Sequence, residues 1–229
     1  MAGSSPLTLI PLREINSSHA RPAGDFANWL AAVDRAVNQQ QPLDVPCGTC
    51  NACCRSGYFI RVHKTEHKAL EAIPKELLFP APGEDDILVM GYDQEGRCPM
   101  LKLDQCSIYE SRPATCRTYD CRLFSGCNID AGPTRGDVNQ VVEQWQFSYQ
   151  SETATRHHQG LVTAASFLLA NKDELQIFSD EPLHIAILAL RCLPLFLDEP
   201  LPDADGQLQR VKKFLQSDHA SAAGNNRSM

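Results

Sequence analysis

Four thiols stand within eight residues, Cys47-Gly48-Thr49-Cys50-Asn51-Ala52-Cys53-Cys54. The spacing C-x2-C-x2-C-C lets three sulfurs turn toward one centre while the backbone loops around it. A thiolate is a strong ligand for Zn²⁺ and for the iron of iron–sulfur clusters. Gly48 can take a positive φ at low cost, which gives the chain room to bend round an ion. Asn51 tolerates left-handed geometry better than most residues. Cysteines buried only as small hydrophobes have no reason to recur every third residue.

A second group follows, with Cys98-Pro99, Cys106-Ser107-Ile108-Tyr109, Arg112-Pro113 and Cys116-Arg117, then Cys121 and Cys127. Bacterial ferredoxins combine C-x2-C-x2-C with a further Cys-Pro. Cys47, Cys50 and Cys53 supply that first spacing, and Cys98-Pro99 is a distant Cys-Pro. Cys54 directly after Cys53 breaks the ferredoxin run, so the analogy concerns chemistry and not fold. A four-thiolate zinc site is equally open on ligand type alone. Either centre is anionic, and burying it calls for compensating cations or hydrogen bonds. Arg97, Arg112, Arg117 and Arg122 all sit beside or within a few residues of a cysteine. Such cations would also favour thiolate over thiol. The alternative is solvated surface arginines; Arg112 and Arg117 are the two favoured as cofactor-side cations. Neither cysteine group has a complete, orderly site of its own, so the two should converge.

The chain has 229 residues and a net charge of −7, which argues against a general nucleic-acid binder. No apolar run approaches the roughly 20 residues a membrane span needs. Met1 to Asn16 shows no basic region followed by an apolar core, so no signal peptide is expected. Those features point to the cytoplasm, where thiols stay reduced. Nine of the ten cysteines fall between Cys47 and Cys127. Metal ligation accounts for them better than a disulfide framework, since adjacent Cys53 and Cys54 pair poorly with each other.

The elements that must position these thiols can be read in order. Residues 1–23 are an arm, docked through Leu7, Leu9, Ile10 and Leu12. The span 24–43 holds a helix over 25–40, with Phe26, Trp29, Leu30, Val33 and Val37 at helical spacing and Asp25 as N-cap. Residues 44–130 form the cysteine-cluster unit. Within it Tyr58 to Val62 is a strand, Thr65 to Ile73 a helix, 79–86 an exposed loop, Ile87 to Tyr92 a strand and 93–96 a turn. Residues 131–216 are helical: Asp137 to about Leu175, with stripes Val141-Val142-Trp145-Tyr149 and Leu161-Val162-Ala165-Leu168-Leu169, then Leu183 to Leu197, then Asp205 to Leu215. The polar segment 217–229 has the composition of a disordered tail. The fold class is α+β, mostly helical, with a small irregular cysteine-rich unit covered by flanking helices.

The joint pattern of 47–54, Cys98-Pro99, Cys106 to Tyr109 and Arg112-Pro113 through Cys116-Arg117-Thr118-Tyr119 resembles the YkgJ-type cysteine-cluster family, also known as a zinc- or iron-chelating CxxCxxCC domain. The resemblance covers about residues 44–127. It implies a cysteine-lined metal-binding unit whose ligands are Cys47, Cys50, Cys53, Cys54, Cys98, Cys106 and Cys116, with Cys121 fitting a common extension of the motif. Cys127 has no counterpart. The expected cofactor is an iron–sulfur cluster in redox or electron-transfer work, an oxidoreductase being the enzyme class such a site serves. The alternatives are a zinc-stabilised interaction scaffold and a protein that hands metal on. The expected partners are the metal ion or cluster and a redox or protein partner, with no nucleic acid and no membrane.

Other residues are read as structural. His63 and His67 at i, i+4 lack an H-E-x-x-H glutamate and read as surface residues. His157-His158 reads as surface, Glu84-Asp85-Asp86 as a solvated charge run, and Cys192 as core.

Overall fold

The computed structural model describes residues 7, 9–12, 20–38, 41, 43, 45, 47–198 and 200–225. In chain order the elements are β1 (Arg21–Asp25), α1 (Phe26–Asn38), β2 (Ile60–His63), α2 (His67–Ala72), β3 (Leu78–Ala81), β4 (Glu84–Met90), β5 (Leu101–Lys102), β6 (Gln105–Cys106), α3 (Ala114–Thr118) and α4 (Arg122–Cys127). There follow α5 (Gly136–Val142), β7 (Trp145–Ser148), α6 (Glu152–Ala170), α7 (Pro182–Cys192) and α8 (Ala204–Asn225). The expected mostly helical α+β class is what the chain adopts.

The helical side has the larger core. The Asp25 carboxylate accepts the N–H of Asn28 at 3.0 Å and starts α1. Phe26, Trp29 and Val33 of that helix bury their side chains with Leu161, Leu168, Ile185, Ala189 and Phe196. Gly160 lets α6 approach the turn after α7, since a Cβ there would stand 2.8 Å from Leu197 Cδ2. The arm docks on this body: Leu7 N–H donates to the Pro202 carbonyl and Ile10 N–H to Thr163 Oγ1. Its end forms β1, which pairs in parallel with β7. Arg-Pro-Ala-Gly-Asp has no alternation, so nothing local announces that strand.

Three other expectations are corrected. Residues 79–86 are exposed but form the β3–β4 hairpin of a sheet ordered β2-β4-β3. Pro80 is tolerated because β3 is an edge strand, and the register slips just after it. The stretch from Asp137 is interrupted by β7, which takes Trp145 off the helical stripe and pairs it with Arg21. The last helix continues through Asn225, over most of the segment whose composition suggests a tail; residues 226–229 lie outside the described residues.

His158 is also not a surface residue. It is buried, stacked on Phe26 at 4.3 Å between ring centres, and its Nδ1 meets the Tyr149 hydroxyl at 2.7 Å. Its ring bonds to the Ser125–Gly126 backbone, yet burial outweighs that and depresses its pKa from 6.5 to about 4. The folded state therefore resists a proton that the unfolded chain accepts. Stability is full above about pH 6.5 and is lost as the pH falls toward 4, by about 3 kcal/mol in all. Urea midpoints for the wild type and His158→Gln across that range test this. The wild type should lose more than the variant, and parallel profiles would contradict it.

Candidate metal centre

The first cysteine group is built as two tight turns. Cys50 N–H donates to the Cys47 carbonyl at 2.9 Å, with Gly48 at φ +56 allowing the bend. Cys53 to Arg55 then form one 3-10 turn. The N–H of Gly48 donates to the Tyr109 hydroxyl at 3.2 Å, and Asn51 Nδ2 donates to the Asp104 carbonyl at 2.9 Å. Arg135 holds the far side, donating to the carbonyls of Ser56 and Gly57 while its guanidinium lies 4.0 Å over the Tyr58 ring.

The second group is delivered by a hairpin and a short helix. Leu103 and Asp104 both have positive φ, the geometry of a two-residue turn between β5 and β6. That turn places Cys106. The N–H of Cys98 donates to the Cys54 carbonyl at 2.7 Å and ties the two groups together. Glu66 accepts the N–H of Ala114 at 2.6 Å at the start of α3, which carries Cys116.

Both groups face one cavity of about 270 Å³. Cys47, Cys50, Cys53, Cys54, Cys98, Cys106 and Cys116 all line it. The expected convergence therefore occurs across a gap of more than forty residues. Among the described residues, however, no three His, Cys, Asp or Glu side chains are drawn up round one point as the ligands of an ion are. The sulfurs are distributed around the wall.

The remaining expected residues divide. Arg112 is buried and lines the cavity; its Nη1 donates to the Tyr109 carbonyl at 3.0 Å and its Nη2 to that of Val45 at 3.2 Å. Arg117 does not line it, and contributes its carbonyl to the Val45 N–H at 2.7 Å. Cys121 lies outside the cavity wall, where its sulfur accepts the indole N–H of Trp145 at 3.2 Å. Cys127 and Cys192 are fully buried in the helical core. All ten cysteines are free thiols.

Sequence reading missed Asp120 and Tyr58. Asp120 is buried between Cys116 and Cys121 and accepts from Trp29 Nε1 and from Arg122. Tyr58 lines the cavity, and its hydroxyl meets that of Tyr119 at 2.7 Å. An acid two residues from an arginine in a cysteine-rich stretch was the available signal for Asp120. Tyr58 had none.

Burial sets the proton affinities. It lifts Cys98 to about 11, Cys116 to about 12 and Cys121 to about 11. It also raises Cys47 and Cys106, against the opposing charge of Arg112. Within the vicinal pair the Cys53 thiol hydrogen-bonds to Cys54, which holds Cys53 protonated and lowers Cys54 to about 7, with Arg55 assisting. A metal entering here must displace protons from most of these sulfurs, so its affinity falls with acid.

Seven thiols around one half-enclosed space are a donor set for zinc or iron, not for hard cations that take oxygen ligands. Fold and cavity together define a helical protein built round a cysteine-lined metal-chelating unit. The family model CxxCxxCC, described as "Putative zinc- or iron-chelating domain", matches residues 46–160, half of the chain. The chain belongs to that family. The match runs past the cysteines to the middle of α6, so the helical cover is part of it. Comparisons with curated proteins and with solved structures give no match. Among the described residues no helix is long and apolar enough to cross a membrane.

Proposed function

We propose that the cavity holds an iron–sulfur cluster on cysteine thiolates and that the protein works in electron transfer or redox chemistry. The supporting observation is the distribution of the sulfurs. A single zinc ion draws four ligands to about 2.3 Å from one point. Seven thiols spread around about 270 Å³ suit a centre of several atoms instead. Such a cluster supplies a one-electron couple whose potential follows its charge, its hydrogen bonds and its exposure. The chain sets those conditions. Arg112 brings a buried positive charge beside Cys47 and Cys106. Ile60, Met90, Met100 and Ile108 give the wall an apolar lining that limits water. Ten free thiols suit a reducing, cytoplasmic setting.

One observation favours a second reading, the zinc-stabilised scaffold. Phe59, Phe79 and Tyr92 are exposed together at one end of the β2-β4-β3 sheet, Phe59 just before β2 and Tyr92 just after β4, with Phe59 5.0 Å from Tyr92 and 6.5 Å from Phe79. Exposed aromatic patches of that kind serve protein contacts.

Protein prepared without oxygen separates the two. It should be brown, absorb broadly through the visible range, and contain iron with acid-labile sulfide. A colourless preparation with stoichiometric zinc and no sulfide would remove the redox reading and leave the scaffold.

A further inference from the structure

The β5–β6 hairpin departs from the usual chemistry of its turn. A two-residue turn with positive φ at both positions is normally built from Asn-Gly or Asp-Gly. Here Leu103 and Asp104 occupy those positions, at φ +47 and +61. A leucine in that region carries a steric cost that asparagine largely escapes. Burial does not offset it, since Leu103 is 99% exposed. Each strand has two residues, and the two form a sheet of their own. Isolated hairpins are marginal in water. A strained turn of this kind persists where its surroundings hold it.

That hold comes from the other side of the cavity wall. Asn51 Nδ2 donates to the Asp104 carbonyl at 2.9 Å. Arg55 is ion-paired with the Asp104 carboxylate and donates from Nε to Asn51 Oδ1 at 3.3 Å. Asn51 and Arg55 flank Cys53 and Cys54 in sequence. Asn51, Asp104 and Gln105 all line the cavity, yet the Asp104 side chain is 73% exposed. The contact therefore closes the wall at its solvent edge. The foot of the hairpin is fixed separately. Ser107 donates to the Met100 carbonyl from both its N–H and its Oγ, each at 2.9 Å. Residues 102–105 can thus swing about the Leu101–Cys106 pair while that pair stays in place.

We propose, resting on the thiolate-centre reading above, that the hairpin tip is the movable cover of the cavity. Asn51 and Arg55 latch it shut through Asp104, and lifting the tip is the step that admits and releases the metal. The strain at Leu103 opposes the latch. It keeps the closed state shallow enough for the tip to open without unfolding the helical core behind it.

The full-length chain, kept anaerobic with its metal, is compared with Leu103→Asn and Asn51→Ala, neither of which alters a charge or a sulfur. Amide hydrogen exchange reads the tip, with α6 as internal reference. Transfer of the metal to excess EDTA reads access to the cavity. Leu103→Asn suits the turn and should slow both tip exchange and metal transfer, by about fivefold. Asn51→Ala frees the Asp104 carbonyl and should quicken both, by about fivefold. Exchange in α6 should be the same in all three chains. Tip exchange that shifts while metal transfer does not overturns the proposal, as does tip exchange equal in all three. A shift that spreads to α6 also overturns it, because the variant then loosens the whole fold. A wild-type chain with no metal would sink the thiolate-centre reading instead. The cover is then read on the same variants by N-ethylmaleimide labelling of Cys116 relative to Cys121, which lies outside the wall. The same order of rates supports the cover, and equal ratios overturn it.

Discussion

Cys116→Ser is expected to lose the metal of the cavity and to unfold well below the wild-type temperature, while Cys192→Ser keeps its full metal content. Cys116 is carried by α3, a helix of one turn and a half, and the hairpin that delivers Cys106 is two residues to a strand. Elements this short have little core of their own. The apolar cluster beneath the sheet is small, with Val62, Ala69, Ile73, Met90 and Met100 as its buried members. Metal bound to the folded chain alone adds its binding energy to folding, on the order of 10 kcal/mol for small thiolate sites. Losing one ligand forfeits several kcal/mol of that. Cys192 is equally a thiol but sits fully buried in the helical core. A hydroxyl there costs about 1–3 kcal/mol of desolvation and touches no site residue. Metal analysis and thermal midpoints on both variants make the comparison. Equal metal loss would show that core and ligand cysteines have been divided wrongly.

Asp120→Ala is expected to cost about 3–5 kcal/mol, the range for a buried charge stripped of its partner. The Asp120 carboxylate accepts from Trp29 Nε1 at 3.0 Å and from Arg122 Nη2 at 2.7 Å, and Arg122 also donates to the Ala23 carbonyl at 3.1 Å. One side chain thus fastens α1 and β1 to the segment between Cys116 and Cys121. Alanine leaves the indole N–H and the guanidinium short of an acceptor in a place water reaches poorly. The variant Asp120→Asn restores an acceptor without the charge, so its stability should fall between those of the wild type and Asp120→Ala. Urea unfolding of metal-replete protein measures the series. A loss below about 1 kcal/mol in Asp120→Ala would mean that the helical cover is held by apolar packing alone.

Residue type and spacing made the thiols legible. Cysteine recurring every third residue has few structural uses, so the convergence of Cys47 to Cys54 with Cys98, Cys106 and Cys116 followed from chemistry. Periodicity did the same for α1 and α7, whose apolar faces repeat at helical spacing. Features that depend on distant partners were hidden. β1 exists because β7 offers it a mate more than a hundred residues on. His158 is buried because Phe26 supplies a ring to stack on, and its neighbour in sequence says nothing of that. Pro80 and Gly83 look like a loop until the edge position of β3 is known. Cys121 carries the same signal as the other cysteines, and only the Trp145 contact separates it from the cavity.

The pairing of β1 with β7 also fixes an order of assembly. Residues 21 and 145 meet only after everything between them has been synthesised, and all nine clustered cysteines lie inside that loop. On the ribosome the thiols emerge before α6 and α7 exist to cover α1 and α4. Chains fold from the N-terminus as they appear, at about 5–20 residues per second. For several seconds the nascent chain therefore presents nine uncovered sulfurs to the cell. Whatever reaches them first, a metal donor or an oxidant, does so before the helical cover has formed.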